Sequence, residues 1–387
     1  MPVYMDHAAT TALSDRALEA MLPYFREEFG NPSAIYSLGQ TSKNVLEKCR
    51  ARMAACLGAL PTEIFFTSGG TESDNWILRG ACSARRQRGR HVITTAFEHN
   101  AVLRTLEQME KDGAEVTRLE PDRKGRITPQ QLEEAIRPDT VLVSVMLANN
   151  VVGTVLDIPA LAKTARVHRV PFHTDAVQAV GHISVDVRKL GVDFLSLSAH
   201  KFNGPRGVGA VYCRLPNRLT PLLTGGGQEK ELRSGTENVP GIVGMTTALE
   251  ESLEALDERT ARLRGLQERM ISGVLEIPGI HLTGDPENRL PGFCSFIVEG
   301  IFHSVYLVNE MNERGFCISS GSACSAASRE SSHVLMALGY DKALAGAGLR
   351  ITLGAENTEK DVDLALAALR ESVEKVRREK PPGASLL

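Results

Sequence analysis

Short apolar runs alternate with helix-periodic stretches through the first half of the chain. Ile64–Thr67, His91–Thr95 and the segments 140–146 and 170–173 read as buried strands, and helical patterns fall at about 98–112, 128–137 and 157–169 between them. Strands that are apolar throughout need cover on both faces, and a helix crossing over between consecutive strands makes those strands parallel. The expected fold class is therefore α/β, with a largely parallel sheet between helical layers. In such sheets ligands collect at the carboxyl ends of the strands, so the loops that follow these runs carry the functional information.

The second half reads differently. A long helical pattern over 240–277 separates the body from a smaller C-terminal unit, which offers a strand near 293–297, a helix near 305–314, a Gly/Ser-rich loop around Cys324 and a last helix from about Thr358. The tail Glu379-Lys380-Pro381-Pro382-Gly383 is expected to fray. At 387 residues the chain can bury a sizeable core, as one large or two moderate domains, and 42% hydrophobic with 24% charged residues is ordinary for a globular protein. A net charge of -3 gives no electrostatic case for nucleic acid or an anionic membrane. No long apolar run points to a membrane span, and Asp6 and His7 so near the start do not fit a signal peptide. Seven scattered cysteines without a CxxC pair point to a reduced, cytoplasmic protein with no metal site.

Chemistry gathers at the strand ends. Ser198-Ala199-His200-Lys201 closes one apolar strand, and His173-Thr174-Asp175 closes the one before it. A lysine amine so placed can form an imine with the aldehyde of pyridoxal 5'-phosphate (PLP), and a buried carboxylate beside it can keep the pyridine nitrogen protonated. Thr67-Ser68-Gly69-Gly70-Thr71-Glu72-Ser73-Asp74-Asn75 passes from strand to helix, and its Gly70 and Thr71 amides and the Thr71 hydroxyl suit a phosphate. Alone, it reads better as a plain glycine turn with a Thr/Ser cap. His99, in Phe97-Glu98-His99-Asn100, follows another strand, where it can stack on a flat ring and relay protons, or simply cap a helix. Asn149-Asn150 follows the next strand and, alone, is an ordinary turn.

Taken together, these segments resemble the cysteine desulfurases whose catalytic loop reads Ser-Ser-Gly-Ser-Ala-Cys, in the class V aminotransferase-like branch of fold-type I PLP enzymes. The resemblance runs from Tyr4-Met5-Asp6-His7-Ala8-Ala9-Thr10-Thr11 through Arg233-Ser234-Gly235-Thr236-Glu237-Asn238 to Leu349-Arg350-Ile351-Thr352-Leu353-Gly354, nearly the whole chain. It implies a large PLP-binding domain at 16–255 with a mainly parallel seven-stranded sheet. It also implies a smaller α/β domain at 256–387 that carries the Cys324 loop, with residues 1–15 joined to that smaller domain. Lys201 is then the covalent anchor of PLP and Asp175 the partner of its pyridinium nitrogen. Gln178 would donate to the phenolic oxygen, and His99 would stack on the ring and relay protons. Gly70, Thr71, Ser198 and His200 would hold the phosphate, while Thr236 would reach the phosphate of a partner subunit, which implies a homodimer. Asn150 and Arg350 would bind the substrate carboxylate, Arg350 through a bidentate fork.

Cys324, in Ser319-Ser320-Gly321-Ser322-Ala323-Cys324-Ser325, narrows the reaction. The resemblance makes it the thiolate that attacks the sulfur of L-cysteine after Lys201 has removed the α proton, leaving L-alanine and a persulfide on Cys324. The persulfide would supply a sulfur-acceptor protein, either an iron–sulfur scaffold or a thiolation carrier. A different PLP enzyme, such as an aminotransferase or a selenocysteine lyase, would share all of this except the need for Cys324. A non-catalytic relative would lack Lys201. One departure stands out: where many relatives read Asn-Asn-Glu, this chain has Asn149-Asn150-Val151.

Overall fold

The structure, a computed structural model, describes residues 2–321 and 331–379. Its centre is a seven-stranded sheet of β2 (Ile64–Thr67), β3 (His91–Thr95), β4 (Glu115–Leu119), β5 (Thr140–Ser144), β6 (Phe172–Asp175), β7 (Phe194–Ser198) and β8 (Gly209–Cys213). The strand order is β2-β8-β7-β6-β5-β3-β4, and β8 alone runs against its neighbours. All the other pairings are parallel, as the alternation of runs requires. Six of these strands are buried at every residue (β2, β3, β5, β6, β7 and β8), whereas β4, at the sheet edge, is buried only at Leu119. That polar, half-exposed edge is why the sequence shows no apolar run there.

Two expected boundaries shift. The run at 170–173 becomes a strand over Phe172–Asp175, which puts Asp175 at the strand's carboxyl end. The helical pattern at 240–277 is two helices, Val239–Glu254 and Leu256–Leu275, broken at Ala255 with φ -113° and ψ 22°. No Gly or Pro sits at the break. Arg259 donates to the Ser252 carbonyl at 2.8 Å, a group that an unbroken helix would use itself, and also to the Gly181 carbonyl outside the helix. The break also sorts the apolar faces. Ile242, Met245 and Leu249 enter the core under the large sheet, while Leu263, Leu266, Met270 and Val274 enter a second core.

That second core surrounds a small antiparallel sheet of β9 (Ile280–Leu282), β10 (Phe293–Val298) and β12 (Gly348–Thr352), with β10 central. Met5 belongs to this core, and β1 (Val3–Tyr4) pairs in parallel with β11 (Phe316–Cys317). The last helix, Glu359–Arg378, starts at Thr358 as the sequence anticipates, with a capping box to Asp361. From β1 the chain crosses to the large sheet: the Ala8 N–H donates to Thr352 Oγ1, and the Thr11 N–H donates to the His200 carbonyl. Residues 5–11 thus form a strap from the small sheet to the end of β7. Among the described residues no helix is long and apolar enough to cross a membrane.

Candidate active site

The strap, the ends of β6 and β7 and the start of the Gly70–Ala84 helix enclose a cavity of about 270 Å³. It lies at the carboxyl edge of the parallel strands. Lys201, Asp175, His99, Gln178, Ser198, His200, Gly70, Thr71, Asn150 and Arg350, ten residues singled out from sequence, all line it. Thr236 does not. It is exposed, in a loop on the outside of the chain. Cys324 lies outside the described residues.

At the floor, Asp175 is buried and its Oδ1 accepts the Val177 N–H at 2.9 Å. Burial pushes its carboxyl up, and His99 and Lys201 pull it back toward the anion. Lys201 follows β7 in a 3₁₀ turn over Ala199–Lys201, and its Nζ donates to the Ala8 and Ala9 carbonyls at 2.6 and 2.8 Å. The strap therefore holds the amine over the cavity. Gln178 Nε2 also donates to the Ala8 carbonyl, at 2.9 Å. His99 caps the helix Asn100–Lys111 by accepting the Ala101 N–H on Nδ1 at 3.1 Å, so a neutral His99 carries its proton on Nε2. The cap reading of His99 is thus met, and the ring that caps the helix also lines the cavity, with Nε2 left for a ligand.

The residues fit the cofactor at both ends. Gly70 and Thr71 open the Gly70–Ala84 helix, where N–H groups have no intrahelical acceptor and the dipole favours an anion. A Cβ at Gly70 would sit 2.8 Å from Val177 Cγ2, so only glycine leaves the backbone open to a close ligand there. His200 stands at this phosphate end with Ser198, its Nδ1 3.1 Å from Thr10 Oγ1, and burial pushes it down to about 4. It stays neutral and offers hydrogen bonding rather than charge.

The opposite wall belongs to Arg350 on β12. Only 2% exposed, it donates from Nη2 to Asp6 Oδ1 and from Nη1 to the Asn150 carbonyl, both at 2.7 Å. Its Nε and the Asn150 Oδ1 are buried without a partner. Buried polar atoms are rarely left so: the Arg350 Nε–H suits a carboxylate that arrives with a ligand, and Asn150 Oδ1 suits a donor on it. The expected fork is thus partly engaged before any substrate binds. Val151, in place of the usual glutamate, is buried on the same wall.

Several groups of the site carry no signal in the sequence alone. Asp74 lines the cavity with its Oδ1 accepting from Ser196 Oγ. Burial first, then Asp175, holds its carboxyl well above the usual range. Glu98 is fully buried, accepts from Thr95 Oγ1 at 2.7 Å and from the Met146 N–H at 2.9 Å, and is pushed up to about 8 by burial. His333 also lines the cavity, and its neighbours Ser331 and Ser332 look like loop. Each is recognisable only from what surrounds it. Six cysteines are described, all as free thiols, and burial pushes Cys56 up to about 11 and Cys82, Cys213 and Cys294 up to about 12. Those four are poor thiolates near neutral pH.

Comparison with known proteins agrees with this geometry. The aminotransferase class-V family matches residues 3–365. The cysteine desulfurase IscS of Methanosarcina thermophila is 47% identical over 379 residues, covering 98% of this chain and 94% of the relative. That of Dictyoglomus turgidum is 45% identical over 383 residues, covering 98% and 96%. Among solved structures, a NifS-like protein superposes with a TM-score of 0.91 at 39% identity, covering 97% of this chain and all of the other. SspA in complex with cysteine gives 0.81 at 37% identity, covering 91% and 98%. The chain belongs to the aminotransferase class-V family, in its cysteine desulfurase branch, whose cofactor is pyridoxal phosphate.

Proposed function

We propose that this cavity removes sulfur from L-cysteine, releasing L-alanine and leaving a persulfide on Cys324. One observation carries the reading: Lys201 and Asp175, from adjacent parallel strands, meet His99 and Arg350 around a single cavity. Bound there, pyridoxal phosphate supplies an electron sink for bond changes at the substrate's α and β carbons. Asp175 holds the ring nitrogen, Gly70, Thr71, Ser198 and His200 hold the phosphate, and His99 covers the ring. Gln178, whose amide rests on the Ala8 carbonyl, would donate to the phenolic oxygen. Lys201 anchors the cofactor and, once free, moves the α proton, with the Ala8 and Ala9 carbonyls as its resting contacts. Arg350 takes the substrate carboxylate on its unpartnered Nε–H, and Asn150 adds a hydrogen bond from its amide Nδ2. Cys324 accepts the sulfur.

The large cofactor-holding unit is assigned to 16–255, and the smaller one to 256–387 together with 1–15. The shared core of Met5 with Leu263 and Met270 supports that division. A homodimer is assigned on the role given to Thr236, which is exposed, does not line its own cavity and would reach the phosphate of a partner subunit. The exposed apolar side chains Leu22, Phe25, Phe29, Ile35 and Tyr36, Ile35 at 93%, support such an interface. The chain is assigned to the cytoplasm, where a protein acceptor, an iron–sulfur scaffold or a thiolation carrier, would take the persulfide sulfur.

The test is product analysis. Purified protein reconstituted with pyridoxal phosphate should form L-alanine and sulfide in equal amounts from L-cysteine in the presence of a thiol. Alkylation before the thiol is added should label a persulfide on Cys324. Alanine formation by Cys324→Ser at the wild-type rate would remove Cys324 from the scheme and favour a lyase.

A further inference from the structure

Three histidines line the cavity, and the chain fixes each ring differently. His200 stands at the phosphate end, held by Thr10. His99 has spent Nδ1 on the Ala101 amide and presents an N–H. His333 is the reverse case. It is the first residue of the helix His333–Ala337, set by the Ser332 cap, and its Nε2 lies 3.0 Å from the Glu98 carbonyl oxygen. A carbonyl oxygen can only accept, so the His333 proton is on Nε2 and Nδ1 keeps its lone pair. Among the described residues no hydrogen bond to that Nδ1 is seen. The cavity therefore has an N–H from His99 and a nitrogen lone pair from His333, and both rings are oriented by main-chain groups of one segment, Glu98 to Ala101. Backbone anchors of this kind hold a ring whether or not ligand is present.

The lone pair answers a requirement that the other cavity groups leave open. L-Cysteine arrives at neutral pH with its α-amine protonated, and an ammonium group is not a nucleophile. Lys201 is occupied as the cofactor anchor at that moment, Asp175 is committed to the ring nitrogen, Arg350 only donates, and His99 offers N–H. Building on the desulfurase reading, we propose that His333 Nδ1 accepts the proton that the incoming amino acid must shed before its amine can react. The substrate N–H bond breaks with its electron pair left on nitrogen, and the Nδ1–H bond forms. The resulting imidazolium keeps its Nε2–H on the Glu98 carbonyl and passes the new proton to water at the cavity mouth. The charged and titratable groups facing His333 suit this role. Burial, and then Arg104 from the Asn100–Lys111 helix, hold the ring below its usual proton affinity against the opposing pull of the Glu98 carbonyl, and His99 stands alongside, so His333 rests neutral with its lone pair available.

His333→Gln keeps an N–H for the Glu98 carbonyl and removes the base. L-Alanine, with the same amine and carboxylate but no thiol, isolates the amine step. Stopped-flow absorbance on mixing L-alanine with reconstituted enzyme should show the variant slower by about 100-fold at neutral pH. That deficit should shrink as pH rises toward the pKa of the amino acid's ammonium group, because free amine then arrives ready-made. A deficit that is absent, or that stays constant across pH, overturns the proposal, since a purely structural role would not follow the substrate's ionisation. ¹⁵N-histidine NMR of the cofactor-free wild type reads the other half without turnover. His333 should show an unprotonated Nδ1 at neutral pH, and a proton on Nδ1 there overturns the proposal even if the variant fails to load cofactor. Absence of alanine from L-cysteine with wild-type enzyme would instead sink the desulfurase reading, leaving the L-alanine and NMR results to judge His333 separately.

Discussion

The two walls of the cavity are made in different ways. The cofactor wall is built from strand ends: Asp175 closes β6, Lys201 follows β7, and Gly70 and Thr71 begin the helix after β2, each set by the few residues around it. The substrate wall is built from segments far apart in sequence. Arg350 on β12 is held by Asp6, 344 residues away, and by the Asn150 carbonyl, 200 residues away. The first wall keeps its shape because regular structure imposes it. The second depends on an ion pair and leaves Arg350 Nε and Asn150 Oδ1 unsatisfied, so its geometry rests on the strap. Chemistry that must not vary sits on the rigid wall, and ligand recognition sits where two cores meet.

Substitutions at the two walls should separate these roles. Lys201→Ala should have the largest effect, a loss of alanine formation of about 10⁴-fold or more, because both covalent anchor and base are removed. Thermal unfolding of the cofactor-free variant should stay near wild type, since the amine's contacts to the Ala8 and Ala9 carbonyls each contribute about 1 kcal/mol net. A collapse of apo stability would instead make Lys201 a keystone of the strap.

Arg350 comes next. Arg350→Lys should keep the cofactor spectrum and raise the apparent KM for L-cysteine, and Arg350→Ala should raise it further, by about 30- to 1000-fold for loss of about 2–4 kcal/mol of charge-assisted pairing. Because Arg350→Ala also strands Asp6, it should lower stability by about 3 kcal/mol, measurable by denaturant unfolding. Unchanged kinetics in both variants would move carboxylate recognition to Asn150.

Asp6 sharpens the contrast in the opposite sense. Asp6→Asn keeps an oxygen for Arg350 but removes a charge that competes with the substrate carboxylate, so KM should fall roughly threefold while kcat holds. Asp6→Ala frees the guanidinium to swing and should raise KM instead. If both variants shift KM the same way, Asp6 acts through charge or position alone, and the strap loses its dual role.

The smallest expected effect lies behind the cofactor wall. Glu98 is pushed up to about 8, against 4.5 for the free carboxyl, so between those values the folded state binds a proton that the unfolded state lacks. Stability should therefore fall as pH rises from about 5 to 8, the sense linkage requires when the native state holds more protons. Glu98→Gln keeps the acceptor for Thr95 and Met146 and abolishes that titration. Its melting temperature should match wild type near pH 5 and exceed it by a few degrees near pH 8. Equal melting temperatures at both values would mean that Glu98 is ionised in the fold.

Sequence alone determined the parallel sheet, because apolar runs alternating with helix-periodic stretches have few other ways to bury both faces, and the cofactor wall, because strand ends place their last residues at one sheet edge. It also pointed to Arg350 and Asn150, through motifs met together in one order, and the fold brings both to one cavity wall. Other features needed the third dimension. The break at Ala255 has no Gly or Pro to announce it and follows from which core each half of the helix faces. Asp6 gains its meaning from an arginine 344 residues away, and the lone pair on His333 exists because a carbonyl at Glu98 claims the other nitrogen. Local sequence sets hydrophobic period, caps and strand ends, whereas proton position, ion pairing and the unsatisfied atoms that await a ligand depend on contacts between distant segments, which only the folded chain brings together.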